Sequence, residues 1–192
     1  IPPIAFSDGP RGVVMNHSTA FPVAMARGAS WDRDLQRRFG DVVGKEIRAQ
    51  GGTLWGGVCV NLLRHTSWLY AATAAVLTGE LSVASLKAVQ AHNVMGCAKH
   101  YAMNSIEETR QKVDVRVDER TLREVYLPHF ERLAEANVAS FMSAYNKVNG
   151  DWACENDYLL NQLLKKTWGF KGFVVSDWNA THSTAKAALA GL

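Results

Sequence analysis

Short apolar runs alternate along the chain with segments whose apolar positions recur every three or four residues. Ile4-Ala5-Phe6 is the first run, closed by Ser7 and the turn-forming Asp8-Gly9-Pro10-Arg11-Gly12. Residues 31–50 then read as a helix with Leu35, Phe39, Val42 and Ile47 on one face. Ser30 is its expected N-cap, Asp32 and Asp34 suit its positive end, and Gly51 is its stop. A strand is expected over 54–63, ending near Arg64-His65, followed by a helix over 80–92 and a strand over 94–98 that ends at Lys99-His100. Leu122, Val125, Tyr126, Phe130 and Leu133 mark a helix starting at Asp118, with Pro128 expected to kink it. A strand over 138–144, a helix over 158–168 stopped by Gly169, a strand over 173–176 and a helix from 181 complete the pattern.

About five β/α units result, and such units predict a parallel sheet covered by helices. Alternation alone does not separate a doubly wound sheet from a (β/α)8 TIM barrel. The sequence holds neither a G-x-G-x-x-G motif nor a P-loop, either of which would favour the doubly wound form. A full barrel takes ~250 residues, so 192 residues predict an incomplete or shortened one.

Composition narrows the function. The chain is 47% hydrophobic and 20% charged, the balance of one ordinary globular domain. Its 21 basic and 18 acidic residues are interspersed, so neither nucleic acid nor an anionic membrane is an expected partner. The weakly polar stretch 68–77 is shorter than the ~18 residues of a membrane helix. Cys59, Cys97 and Cys154 have no C-x-x-C spacing, and the first two fall in predicted strands, where a thiol is a small buried apolar group. His17, His92, His129 and His182 show no metal-ligand spacing, and no metal or cofactor is implied. A start at Ile1 and a stop at Leu192 read as a piece of a longer chain.

Candidate chemistry gathers at predicted strand ends: Asp8, Arg64 or His65, Lys99-His100, Tyr145-Asn146 and Asp177-Trp178. In a barrel these positions share one mouth. Carboxylates and a Lys bind hydroxyls through charge-assisted hydrogen bonds, and aromatic faces cover C–H patches, so the set suits a polyhydroxylated ligand. Each residue also has a plainer role. Asp8 and Asp177 are ordinary turn or cap residues, and Arg110 beside Glu107 an ordinary surface ion pair.

Four longer motifs tie these residues together. Lys99-His100-Tyr101-Ala102-Met103-Asn104, then Glu119-Arg120-Thr121-Leu122-Arg123-Glu124-Val125-Tyr126-Leu127-Pro128, then Met142-Ser143-Ala144-Tyr145-Asn146, then Trp168-Gly169-Phe170-Lys171-Gly172 running into Ser176-Asp177-Trp178, resemble family-3 glycoside hydrolases. The likeness is to their β-glucosidase and β-xylosidase branch. Asp8-Gly9-Pro10-Arg11-Gly12 and Gly44-Lys45-Glu46 also fit, so it spans nearly the whole chain.

The resemblance implies a (β/α)8 barrel domain, partial over 1–192, with Asp177 as the nucleophile toward a β-glucoside or related oligosaccharide. It implies hydroxyl binding by Asp8, Lys99, His100 and Arg110, with Met142, Tyr145 and Trp178 shaping the pocket. A retaining glycosidase needs a second carboxyl ~5–5.5 Å away. The resemblance places that acid/base in a following domain beyond Leu192, so the isolated chain is expected to turn over ordinary glucosides feebly or not at all. A branch with its His/Asp acid/base in a Lys-His-x-Pro-Gly-His loop is not matched by Lys99-His100-Tyr101-Ala102-Met103-Asn104.

One departure stands out. Where the family reads Arg-x-Pro-Arg-Trp-Gly-Arg, this chain reads Arg64-His65-Thr66-Ser67-Trp68-Leu69-Tyr70, with Tyr70 near the place of the second Arg and a shortened loop after it. That departure keeps open a degenerate, non-catalytic carbohydrate-binding homologue.

Overall fold

The computed structural model describes residues 3–64, 71–72 and 75–192. In chain order its strands are β1 (Phe6–Ser7), β2 (Leu54–Cys59), β3 (Asn61–Leu62), β4 (Ala71–Ala72) and β5 (Met95–Tyr101). They continue with β6 (Asp114–Val115), β7 (Ser140–Ser143), β8 (Lys147–Val148), β9 (Asp151–Trp152) and β10 (Phe173–Ser176). The α-helices are α1 (Ala24–Gly28), α2 (Arg33–Ala49), α3 (Ala75–Gln90), α4 (Glu119–Thr121), α5 (Pro128–Glu135) and α6 (Ala185–Ala190).

β1, β2, β5, β7 and β10 form one parallel sheet in that spatial order, which is also their order in the chain. A doubly wound sheet reverses direction at a switch point, and this one does not. Right-handed crossovers then place successive helices on the same face. α2 packs on α3, and α3 on α5. The sheet is a curled half-barrel, the incomplete barrel that the alternation predicts.

Its two faces are unequal. On the helix side lies the main core, where Phe39, Val43, Ile47, Trp55, Leu86, Tyr101, Phe130, Phe141 and Leu163 are buried together. Each such side chain contributes about 1.5–3 kcal/mol on leaving water. Tyr101 is the hub. Its ring meets Phe130, Phe141 and Trp168 at centroid separations of 5.2, 5.5 and 5.9 Å, and its hydroxyl donates to the Leu159 carbonyl at 2.9 Å. On the barrel-side face a smaller apolar cluster of Leu54, Cys97 and Met142 is buried, with Phe6, Met95 and Val175 packed against it.

Several local expectations shift. The N-cap of α2 is Asp32, whose Oδ1 accepts from the Leu35 amide at 2.9 Å, while the Ser30 hydroxyl turns back to the Arg27 carbonyl at 2.6 Å. Val43, not Val42, is the fully buried valine of α2. Gly51 is the stop, at φ +78°. Pro128 opens α5 instead of kinking one long helix, because its ring suits a first turn and its missing N–H breaks an interior one. π-helical turns at Leu122–Tyr126 and Tyr158–Thr167 take up the remaining pitch. The predicted strand over 54–63 breaks at Val60, and β3 leaves the main sheet to pair with β4. All three cysteines are free and buried.

Candidate active site

Row by row, the sheet assembles the site. Cys59 of β2, Lys99 of β5, Met142 of β7 and Val175 of β10 lie side by side across the strands. One row further on, Tyr101, Ser143 and Ser176 align, and the Asp177 amide donates to the Ser143 carbonyl at 3.1 Å. Lys99 and His100 therefore sit within β5 rather than beyond its end. Strict alternation would send two consecutive side chains to opposite faces. The β5–β7 register shifts between Lys99 and Tyr101, and at this irregularity both reach the mouth.

Lys99 is buried and its Nζ lies 2.5 Å from Asp8 Oδ1. Burial opposes its charge, Asp8 beside it favours it, and its pKa is raised. Asp8 is held in turn by the Gly9 amide, which donates to Oδ1 at 2.8 Å. Gly9 has φ +121°, and a Cβ there would meet the Gly12 carbonyl oxygen at 1.8 Å, so the turn demands glycine. The buried Trp55 Nε1 donates to the Gly9 carbonyl at 3.0 Å and ties the turn to β2.

His100 is oriented by Asn61, a residue the sequence pattern did not single out. Asn61 Oδ1 accepts from the His100 amide at 2.9 Å and lies 3.0 Å from Nδ1. Because that oxygen is an acceptor, Nδ1 carries the proton. Burial, with Lys99 and Arg110 nearby, pushes the imidazole pKa well below its ordinary value, so the ring is neutral and Nε2 is an acceptor. Nε2 lies 3.4 Å from Asp177 Oδ2.

Asp177 follows β10 directly and is buried. Its Oδ1 accepts from the Trp178 amide at 2.9 Å, while Oδ2 has no hydrogen-bond partner among the described residues. Burial raises its pKa above the usual carboxylate value; the Trp178 amide, Lys99, Arg110 and Tyr145 oppose that rise. Tyr145 stays a phenol, its pKa pushed up to about 12 by burial and by Asp177. Arg110 pairs with Glu107 at 3.2 Å and lies over the Tyr145 ring at 4.4 Å. Trp178 is half-exposed, its ring edge-on to Phe6 at 5.1 Å. Met142 is buried in the barrel-side cluster, beneath the mouth.

The contacts thus join Asp8 to Lys99, His100 to Asp177, and Arg110 to Tyr145. Arg64 faces elsewhere. Its Nε donates to the Tyr126 hydroxyl at 3.2 Å, because the chain leaves the main sheet at β3. His65 and Tyr70 lie outside the described residues. Among the described residues no three His, Cys, Asp or Glu side chains form a metal-binding group.

A model of the glycosyl hydrolase family 3 N-terminal domain matches residues 1–190. A probable β-glucosidase L from Aspergillus terreus is 40% identical over 197 aligned positions, covering the whole chain and 27% of that protein. Thermostable β-glucosidase B from Acetivibrio thermocellus is 39% identical, with 28% of its length covered. Among solved structures, DesR, a β-glucosidase from Streptomyces venezuelae in complex with D-glucose, superposes with a TM-score of 0.96 at 37% identity, covering all of this chain and 25% of that one. β-Glucosidase 3B from Thermotoga neapolitana, in complex with glucose, gives 0.95 at 35%, with 29% of its chain covered. The 192 residues thus span about a quarter of the length of these relatives.

Proposed function

From the premise that this chain belongs to glycosyl hydrolase family 3, as its N-terminal domain, we propose that it carries the nucleophile and the sugar-binding wall of a retaining β-glucosidase-like enzyme. One observation carries this reading: a buried carboxylate with one oxygen held and one unpartnered, at a strand end whose neighbours are hydroxyl-binding groups. Asp177 Oδ1 is occupied by the Trp178 amide, so Oδ2 is the oxygen that attacks the anomeric carbon. The glycosidic C–O bond breaks, the leaving oxygen takes a proton, and water later releases the sugar from the Asp177 ester.

The other residues follow from their chemistry. Asp8 accepts from sugar hydroxyls while Lys99 donates, and the contact between them holds both in place. His100 Nε2 is a neutral acceptor for a hydroxyl placed beside Asp177. Arg110 and Tyr145 act as a stacked pair at the rim, and Trp178 offers an exposed face for the sugar's C–H patches. We assign the proton donor to a carboxyl outside these 192 residues. A general acid supplies about 10²–10⁴-fold, so the isolated chain is expected to turn over ordinary glucosides feebly.

The test uses a 2-deoxy-2-fluoro-β-glucoside with a dinitrophenyl leaving group, which departs without acid assistance. Intact-mass analysis and peptide mapping are expected to show one adduct on the peptide holding Asp177, absent in Asp177→Asn. No adduct on a folded chain would replace this reading with that of a non-catalytic carbohydrate-binding homologue, the outcome that the altered segment 64–77 favours.

A further inference from the structure

Away from the mouth, α1, α2, α3 and β2 line a partly open cavity of about 40 Å³. Arg27 lines it and is only 8% exposed. Its Nη1 donates to the Pro22 carbonyl and its Nη2 to the Pro10 carbonyl at 2.9 Å. Its guanidinium carbon lies 3.8 Å from the centroid of the Phe39 ring. All three partners are neutral. Nε is buried and has no partner among the described residues.

Burial lowers the Arg27 pKa to about 10, which still leaves the group charged at neutral pH. No carboxylate of the described residues pairs with it, and residues 1–2, 65–70 and 73–74 include no Asp or Glu. Cys59 lines the same cavity, but burial pushes its thiol up to about 12, so it is no counter-ion. A buried cation without a compensating charge is costly unless an anion joins it. The second observation is Thr78. It lines the cavity at 2% exposure, and its hydroxyl has no partner among the described residues.

We propose that this cavity is a halide site, with chloride held by Arg27 Nε–H and the Thr78 hydroxyl. Two residues with unpartnered donors line a space larger than the ~10–15 Å³ that one water needs, room for a monatomic anion. Phe39 and Trp55 wall it and keep the local dielectric low, which strengthens the attraction between ion and guanidinium. Pro10 is two residues past Asp8, so the guanidinium that holds the ion also anchors the turn of the sugar site.

The experiment follows the thermal unfolding midpoint in sodium chloride and in sodium gluconate at constant ionic strength, for the wild type, Arg27→Met and Thr78→Val. At chloride tenfold above its Kd the wild-type midpoint should rise by roughly 3–5 °C relative to gluconate. Arg27→Met should lose that rise, and Thr78→Val should keep a smaller part of it. Bromide-soaked crystals of the wild type should show an anomalous peak beside Arg27 Nε, a readout that needs no variant to fold. An equal rise in gluconate, an undiminished rise in Arg27→Met, or no bromide peak at Arg27 would overturn the site.

Discussion

Asp177 lies between opposed influences, and their balance sets its titration. Burial favours the neutral acid; the Trp178 amide, Lys99, Arg110 and Tyr145 favour the carboxylate. A nucleophile must be ionised, so the labelling rate should fall as pH drops through the raised pKa, with an acid limb above the ordinary 3.8. Lys99→Met removes one of the groups that favour ionisation and should move that limb to still higher pH. A limb that stays put would mean that Lys99 does not act on Asp177. Asp177→Asn keeps the shape and removes the nucleophile, so steady-state labelling should drop by about 10³-fold or more. Lys99 and His100 were legible as candidates because they close an apolar run. Asn61 was not, since it lies inside the expected strand over 54–63 and nothing marks it until the fold sets it against His100.

At the scale of elements, close packing overrides intrinsic preference. A Cβ on Gly40 of α2 would meet the Ser85 carbonyl oxygen of α3 at 2.3 Å. Gly-to-Ala in a helix interior ordinarily gains about 0.8–1.0 kcal/mol. Forcing backbone apart in a packed core costs about 1–3 kcal/mol, so Gly40→Ala should be net destabilising by urea unfolding. α5 carries the pH response. His129 is buried against the Phe130 ring at 4.5 Å with Nδ1 unpartnered, and burial lowers its pKa to about 3. The unfolded chain accepts this proton near pH 6.5, where the folded chain refuses it. Stability is therefore complete above about pH 6.5 and falls as pH drops toward 3, by roughly 3 kcal/mol between pH 7 and pH 4 from this group. His100, also depressed by burial, acts in the same direction. His129→Leu should flatten that slope in urea titrations at pH 7, 5 and 4. The existence of α2 and α5 was visible in their periodicity. The phase of α2 was one residue out at Val42, because apolar spacing does not tell which of two adjacent valines faces α3.

For the whole molecule, the five-stranded sheet leaves its ends open. Among the described residues, β1 pairs only with β2 and β10 only with β7 within that sheet. Unpaired edges recruit further strands, and β10 begins with Phe173, 37% exposed. The isolated chain should self-associate with rising concentration in sedimentation velocity, and Phe173→Lys should suppress it several-fold. A wild-type chain that sediments as a monomer at all concentrations would count against edge pairing.

By itself the sequence determined the β/α alternation, the parallel sheet and the helix stops at Gly51 and Gly169, and it named candidates for the mouth, of which Arg64 faces elsewhere. Those features rest on local rules: apolar period, turn chemistry and the backbone freedom of glycine. Only the tertiary structure decided the strand order without a switch point, the departure of β3 and Arg64 from the sheet, and the pairing of Asp8 with Lys99 and of His100 with Asp177. It alone also showed Arg27, an unremarked residue of a short helix, buried without a counter-ion. Such facts depend on contacts between residues tens of positions apart, where the spacing of a single chain carries no signal.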